Sequence, residues 1–504
     1  MNSLKKDFKT LFRDRIFLMA FLVSGGTWLY FFRAKINPDG VSYMAAAEAL
    51  ARGNFWGSVT SYWAPLYSWL MSPLIALGVK SIYAAKLAAL PFCATAVTII
   101  YAILRKLGVE AKNRCWAAIL LLPLLFHSAF YEMTPDFIGL SFILFYLYLT
   151  IHDDFFSDRK ALLIAGTSAG LGFLAKNYNL AFFATHFLAI LLLECFKNRR
   201  AVLLAPYFFI PFGVIGAFWV VLVKMKYGIW TIGTAGLMNN ALFSPRTLGH
   251  PLHTMGFRAP FPPYGYSAWD DPTPLLELVK SANWKVFESK ETLNYLLQRM
   301  KENFRGILNV FNDFSILFFP IFIAVIPSAF KRKALAKILL AAIIYTVGFL
   351  PFLPDHRYLY PPLFAVIVLL LAQRFKFSLL AVLLVTFLYF PVMNLKNSRN
   401  NGAYFMQAAE QLRDDAGIKP GSSLAANSSW YFGLNTAFHL KAHFFGEPKP
   451  DESPQDVVSG LQKLPIDYYF FYGEPKGDQY GLLKSKFPVV KHPLGANLTI
   501  FKLR

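Results

Sequence analysis

Between residues 16 and 393 the chain returns eleven times to runs of about 15 to 23 residues with little or no charge. Short loops rich in lysine and arginine separate many of them. About 20 apolar residues make a helix long enough to cross a bilayer. Lipid offers no water to an unpaired backbone, so such runs have to fold as helices. The expected spans cover about 16–32, 82–104, 115–130, 137–151, 161–175, 180–195, 201–223, 314–330, 335–352, 358–373 and 377–393. The overall balance agrees: 56% of residues are hydrophobic and 16% charged, against about 25% charged in soluble domains. The sequence predicts an α-helical polytopic membrane protein with about eleven transmembrane helices.

Sidedness follows from the basic residues, which stay on the cytoplasmic face. Lys5, Lys6, Lys9, Arg13 and Arg15 precede the first span; Arg105-Lys106, Arg199-Arg200 and Lys331-Arg332-Lys333 fall in loops of the same parity. The N-terminus is therefore expected inside and, after eleven spans, the C-terminus outside. The first span has no small-residue cleavage site after it and reads as a retained helix. The compact basic loops suit a bacterial inner membrane. The formal charge of +21 is taken up by these loops and by anionic headgroups, which argues against nucleic acid as a partner. Cys93, Cys115 and Cys195 lie in or beside apolar spans without CxxC spacing and read as small buried hydrophobes.

Two outer segments interrupt the bundle, at 33–62 and 224–310. The first contains an Ala-rich stretch, 45–52, that reads as a short helix ending at Gly53; beyond it, 62–78 is apolar but broken by Pro65 and Pro73. The second holds proline-rich turns and an amphipathic piece at 292–304. From residue 400 the composition turns soluble. A helix at 403–415, a strand near 424–426, the run Ile466–Tyr472 and a last strand at 497–502 predict a small α/β domain, 400–504, on the outer side of a membrane domain, 1–399.

The polar residues that stand out gather on the expected outer side, where ionisable groups at the edge of a bilayer are costly and often functional. Asp39 follows the first span. It suits a general base that takes a proton from an acceptor hydroxyl as that oxygen attacks an anomeric carbon; Asn37-Pro38-Asp39-Gly40 equally suits a turn. Glu132 and Asp136 share one face if a helix starts there, and suit an acceptor hydroxyl or a divalent ion; Asp136, after Pro135, also suits a helix cap. Lys176 and Arg357 suit a lipid phosphate, Arg357 through its bidentate fork, with His356, Tyr358 and Tyr360 beside it. Snorkelling to headgroups is the plainer reading of both cations. In the long loop, His250, His253 and Arg258 suit a substrate cover; His-x-x-His without a third ligand is weak for metal.

The order of these features resembles the GT-C fold glycosyltransferases, the group that holds protein O-mannosyltransferases and lipid A aminoarabinose transferases. The resemblance rests on Asp39 with Tyr43 four residues on, the Ala-rich stretch and Gly53-Asn54-Phe55-Trp56, an outer acid at Glu132 or Asp136, Leu174-Ala175-Lys176-Asn177, Asp355-His356-Arg357-Tyr358-Leu359-Tyr360-Pro361-Pro362, and the soluble tail. It implies a polyprenyl-phosphate-linked sugar donor, an acceptor glycan, lipid or protein, and inversion at the anomeric carbon. Asp39 would carry the family's base. Arg357, Lys176, His356 and Tyr360 would meet the donor phosphate, and Tyr43 and Arg258 would face substrate. Members of the group often have Asp-Glu adjacent in the first loop; here Gly40 follows Asp39, which leaves the substrate and any metal dependence open. The alternatives are a transporter or flippase for lipid-linked glycans, an O-antigen-type polymerase, and a scaffold of this fold without catalysis. A transporter is expected to show internal repeats, and none stands out.

Overall fold

The computed structural model describes residues 2–242, 244–245, 249–279, 284–373, 375–490, 494 and 497–504. Every one of the eleven expected apolar runs is helical. Five helices are long and apolar enough to cross a membrane: Ser81–Lys106, Ala111–Phe130, Tyr178–Cys195, Ala201–Tyr227 and Ser378–Asn397. Lys290–Phe314 and Phe318–Lys331, bent by 97° at the break between them, make a sixth if taken as one span. Arg15–Phe31, Asp136–Thr150 and His356–Leu371 are apolar but only 15 to 17 residues long. At about 1.5 Å per residue they reach roughly 22 to 26 Å, short of a ~30 Å hydrocarbon core. The last two begin at Asp136 and at His356-Arg357, so polar residues cut them short where the site forms. The chain is an integral membrane protein, mostly helical, with long buried helices at its centre.

Close helix packing depends on small residues. Helix Arg159–Ala175 lies against Pro206–Tyr227, and a Cβ at Gly166 would stand 2.1 Å from the Phe208 carbonyl oxygen. The first outer segment is more regular than its sequence suggests. Asn37 caps, and Pro38 opens, a helix that runs Pro38–Ala51, since a proline at the first helical position needs no N–H partner. Leu66–Ala76 follows as a separate short helix after Pro65.

Near the C-terminus five short strands form one sheet: β1 (Ser423–Ala426), β2 (His443–Phe444), β3 (Tyr468–Tyr472), β4 (Val489–Val490) and β5 (Leu498–Lys502). Their order is β2-β1-β3-β5-β4. β1 pairs parallel with β2 and β3, while β5 runs antiparallel to β3 and β4. Helices Trp430–Leu440, Pro454–Lys463 and Asp478–Lys486 connect them. The expected start of this part at residue 400 falls inside a helix, Tyr389–Asp414, because the apolar run and the amphipathic stretch after it continue as one helical element.

The sheet is joined to the long loop that follows residue 224. The Phe444 N–H donates to the Tyr266 carbonyl at 2.7 Å and Ser267 pairs with Phe444 as an isolated bridge, so the loop covers the outer edge of β2. One apolar core runs through Val41 and Met44 of helix Pro38–Ala51, Trp269 of the loop, and Leu424 and Ile500 of the sheet.

Candidate active site

Asp39 lies in the first turn of helix Pro38–Ala51, where its own N–H donates to the Asn37 Oδ1 at 2.9 Å. The turn chemistry of Asn-Pro-Asp-Gly and the functional reading therefore coincide: the turn is a helix start, and an acid there is favoured by the helix dipole. Gly40 sets what can approach. A Cβ at residue 40 would meet the Met133 carbonyl oxygen at 2.9 Å, so the 131–135 turn, with Met133 at φ +50°, packs directly on the helix start.

Arg357 comes from the far end of the chain. Asp355 caps helix His356–Leu371 by accepting from the Arg357 N–H at 3.2 Å, which turns the guanidinium toward Asp39. Its Nη1 lies 2.7 Å from Asp39 Oδ2. Nη2 donates to the Tyr358 hydroxyl at 2.8 Å. Nε is buried, makes no hydrogen bond, and stands 3.6 Å from Asp355 Oδ2. Lys176, at the end of helix Arg159–Ala175, is ion-paired with Asp136 and sits 3.9 Å from the centroid of the Tyr358 ring. The two cations thus flank one tyrosine.

Burial alone would push the Asp39 carboxyl upward. The Arg357 charge and hydrogen bond, with the Trp269 indole N–H at 3.3 Å from Oδ1, outweigh burial and hold Asp39 below the usual carboxylate range. Glu132 moves the other way: burial, then the nearby Asp355 charge, raise it against the pull of Arg357 and Lys35. The two carboxyls of this site are therefore shifted in opposite directions, Asp39 toward the charged form and Glu132 toward the neutral one, a pattern typical of catalytic acid–base pairs.

Not every expected residue joins them. His356 turns to Asp313 at 2.9 Å and stacks on Phe390. The Tyr360 hydroxyl meets His127 Nδ1 at 2.7 Å in the bundle interior. His356, one position before Arg357, points about 100° away from it; Tyr360, one turn on, is drawn instead into the interior by its bond to His127. Asp136 answers Lys176 and not a helix cap; Pro135 is the cap residue, without a side-chain bond. Tyr43 is buried one turn from Asp39 and packs edge-on against Trp63. Arg258 lines a separate cavity of about 310 Å³ with Phe261, Asp271, Leu275 and Leu278. His253 is bonded to Glu447, and His250 stacks on Trp430. Among the described residues no three His, Cys, Asp or Glu side chains converge as a metal would need, and Asp136 is already committed to Lys176.

Several site residues escaped the sequence reading. Trp269 donates to Asp39. Asp270, next to it, accepts from the Ser267 N–H and the Ser42 hydroxyl, each at 3.2 Å, and from the Tyr266 N–H; burial pushes it up to about 7. Glu48, buried in the Ala-rich helix, accepts from Ser81, from Tyr266 and from Lys441, the last at 2.9 Å. The one signal was Trp269-Asp270-Asp271, an aromatic–acidic run inside a proline-rich loop.

The model of the dolichyl-phosphate-mannose-protein mannosyltransferase family matches residues 63–232, a stretch holding Glu132, Asp136 and Lys176. No curated protein matches the chain in sequence. Among solved structures, ArnT from Cupriavidus metallidurans bound to undecaprenyl phosphate superposes with a TM-score of 0.62 at 13% identity, over 96% of this chain and 97% of that one. The apo state of the same protein gives 0.60 at 12% identity, with the same coverage. The chain thus has the fold of ArnT along nearly its whole length, and with the family match this supports the GT-C group its sequence resembles.

Proposed function

We propose that this protein is a membrane glycosyltransferase that moves a sugar from a polyprenyl-phosphate donor to an acceptor hydroxyl, with inversion, on the extracytoplasmic face. Asp39 is the base. The acceptor oxygen attacks the anomeric carbon, its proton passes to the Asp39 carboxylate, and the bond from that carbon to the phosphate oxygen breaks with its electron pair. The leaving group is polyprenyl phosphate. Arg357 holds the charge that grows on it, and its unbonded Nε is a donor ready for a phosphate oxygen. A fixed cation at a departing oxyanion lowers the barrier because it need not reorganise during the reaction. Lys176, beside Tyr358, adds to that field. Glu132, whose burial favours its neutral form, orients the acceptor.

The observation that carries this reading is the ion pair of Asp39 with Arg357 in a largely buried pocket, formed from residues 318 positions apart. The undecaprenyl phosphate held by ArnT supports a polyprenyl carrier. Eleven crossings, an inside N-terminus and an outward 400–504 segment complete the proposal, with the bilayer thinned locally around the shorter helices where the site opens.

The test is to incubate the purified protein with a panel of polyprenyl-phosphate sugars and acceptor extracts and follow release of polyprenyl phosphate. Release that disappears with Asp39→Asn supports the reading. No turnover of any donor, or turnover unaffected by Asp39→Asn, overturns it.

A further inference from the structure

Asp39 has two carboxylate oxygens, and the site treats them differently. Oδ2 faces Arg357 at 2.7 Å; among the described residues the hydrogen-bond partner of Oδ1 is the indole N–H of Trp269, at 3.3 Å. Trp269 comes from the long outer loop and is 3% exposed. Its ring packs on Tyr62, Trp63 and His250 at 5.0, 5.6 and 4.7 Å. Its carbonyl accepts from the Trp63 indole at 3.0 Å and from Ser42, one turn beyond Asp39, at 3.2 Å. The turn that carries it is closed by the Asp270 carboxylate.

The C-terminal segment reaches this ring through His250. Trp430 stacks on His250 at 4.0 Å with 9° between planes. The Trp430 N–H donates to Glu447, which also bonds His253. Three rings, Trp430, His250 and Trp269, therefore form a continuous chain of contacts, the first pair stacked and the second tilted by 56°, that ends on the carboxylate.

We propose that Trp269 is the residue that positions the Asp39 base, and that Trp430 of the C-terminal segment steadies it through His250. This rests on Asp39 being the base. A carboxylate held on one side only can rotate; a second donor on the other oxygen fixes its plane. That matters most when a donor phosphate competes for Arg357, because the indole is then the remaining partner. An indole N–H does not itself titrate, so it donates to Asp39 whenever the carboxyl is ionised.

The groups that act on Asp39 are Arg357 and Tyr358 from helix His356–Leu371, Glu132 from the 131–135 turn, Lys176, His250 and Trp269 from the loop, and Tyr43 and Tyr62. Trp269→Phe changes one of these: it keeps a ring and removes the N–H. A hydrogen bond to the charged form favours that form, so its loss raises the carboxyl. The expected result is a kcat about tenfold lower, an unchanged donor KM, and an acidic limb of the kcat profile moved to higher pH. Trp430→Leu, far from the chemistry, should move the same limb in the same direction by less, and it serves as the readout if the Trp269 variant does not accumulate. A limb that stays at its wild-type position in the folded variants, or a loss confined to KM, overturns the proposal. Asp39→Asn run alongside separates the two ideas. If it is inactive while Trp269→Phe leaves the limb in place, only the positioning role fails; if it is active, the base assignment fails and the positioning role with it.

Discussion

Asp39→Asn should do two opposite things, and the ion pair says how large each is. In the resting site the Asp39 carboxylate occupies the guanidinium that a donor phosphate needs. The two side chains are 22% and 13% exposed, so the pair lies between an exposed salt bridge, worth about 0–1 kcal/mol, and a buried hydrogen bond to a charged group, worth about 1.5–3 kcal/mol. About 1.4 kcal/mol is a reasonable middle, and that is tenfold in an equilibrium constant. Asparagine gives up the charge and keeps one acceptor oxygen, enough for Arg357 or Trp269 but not for both, since its NH2 can only donate. Polyprenyl phosphate should therefore bind roughly five- to tenfold more tightly to the variant. Turnover should fall by about 10²–10⁴, the usual contribution of a general base. The assay pairs equilibrium binding of polyprenyl phosphate with its release from a polyprenyl-phosphate sugar, on protein of unchanged thermal midpoint. A variant that binds polyprenyl phosphate more weakly, or that keeps more than about a tenth of wild-type turnover, refutes the reasoning.

Arg357→Ala should raise donor KM and lower kcat together, by about 10²–10³ in kcat/KM; an unchanged KM would move Arg357 out of the donor site. Gly40→Ala should destabilise by about 1–3 kcal/mol, since its Cβ meets the Met133 carbonyl at 2.9 Å, whereas Gly26→Ala, with nothing within 4 Å, should leave the thermal midpoint unchanged. Glu48→Ala strips the partner from Lys441 and Tyr266 and should open the loop–sheet contact, read as faster proteolysis within the 249–279 stretch; an unchanged digestion rate would contradict it. Asp270 is raised by burial to about 7 from a usual 3.8, so the folded chain holds a proton that the unfolded chain releases near pH 4. Its contribution to stability is full below pH 4 and is lost as pH rises toward 7. The wild-type thermal midpoint should accordingly drop, relative to Asp270→Asn, between pH 4.5 and 7.5, and a constant difference would count against it.

The helices were legible because lipid exposure writes them as unbroken apolar runs, and Asp39 and Arg357 stood out because they fall at the ends of runs opposite to those where the basic clusters gather. Length was harder to read. Asp136–Thr150 and His356–Leu371 look like full spans in composition but begin at polar residues that belong to the site. Direction was not legible at all: His356 and Tyr360 flank Arg357 in sequence yet turn to Asp313 and His127. Trp269 and Glu48 were passed over for a related reason. Each has meaning only through a partner more than 200 residues away, Asp39 for one and Tyr266 for the other, and neither pattern nor spacing reports such a meeting.

The weld between the long loop and the sheet has a consequence in time. Tyr266 bonds Lys441, some 175 residues further along, and Phe444 closes on the same turn. A ribosome makes the chain from its first residue, so the helical bundle and both outer segments exist before their clasp does. While synthesis continues, the 266–270 turn has no strand to hold it and the ring stack has no end. A nascent protein should thus stay inert until its final portion has folded, so half-built molecules would not act before the site is complete.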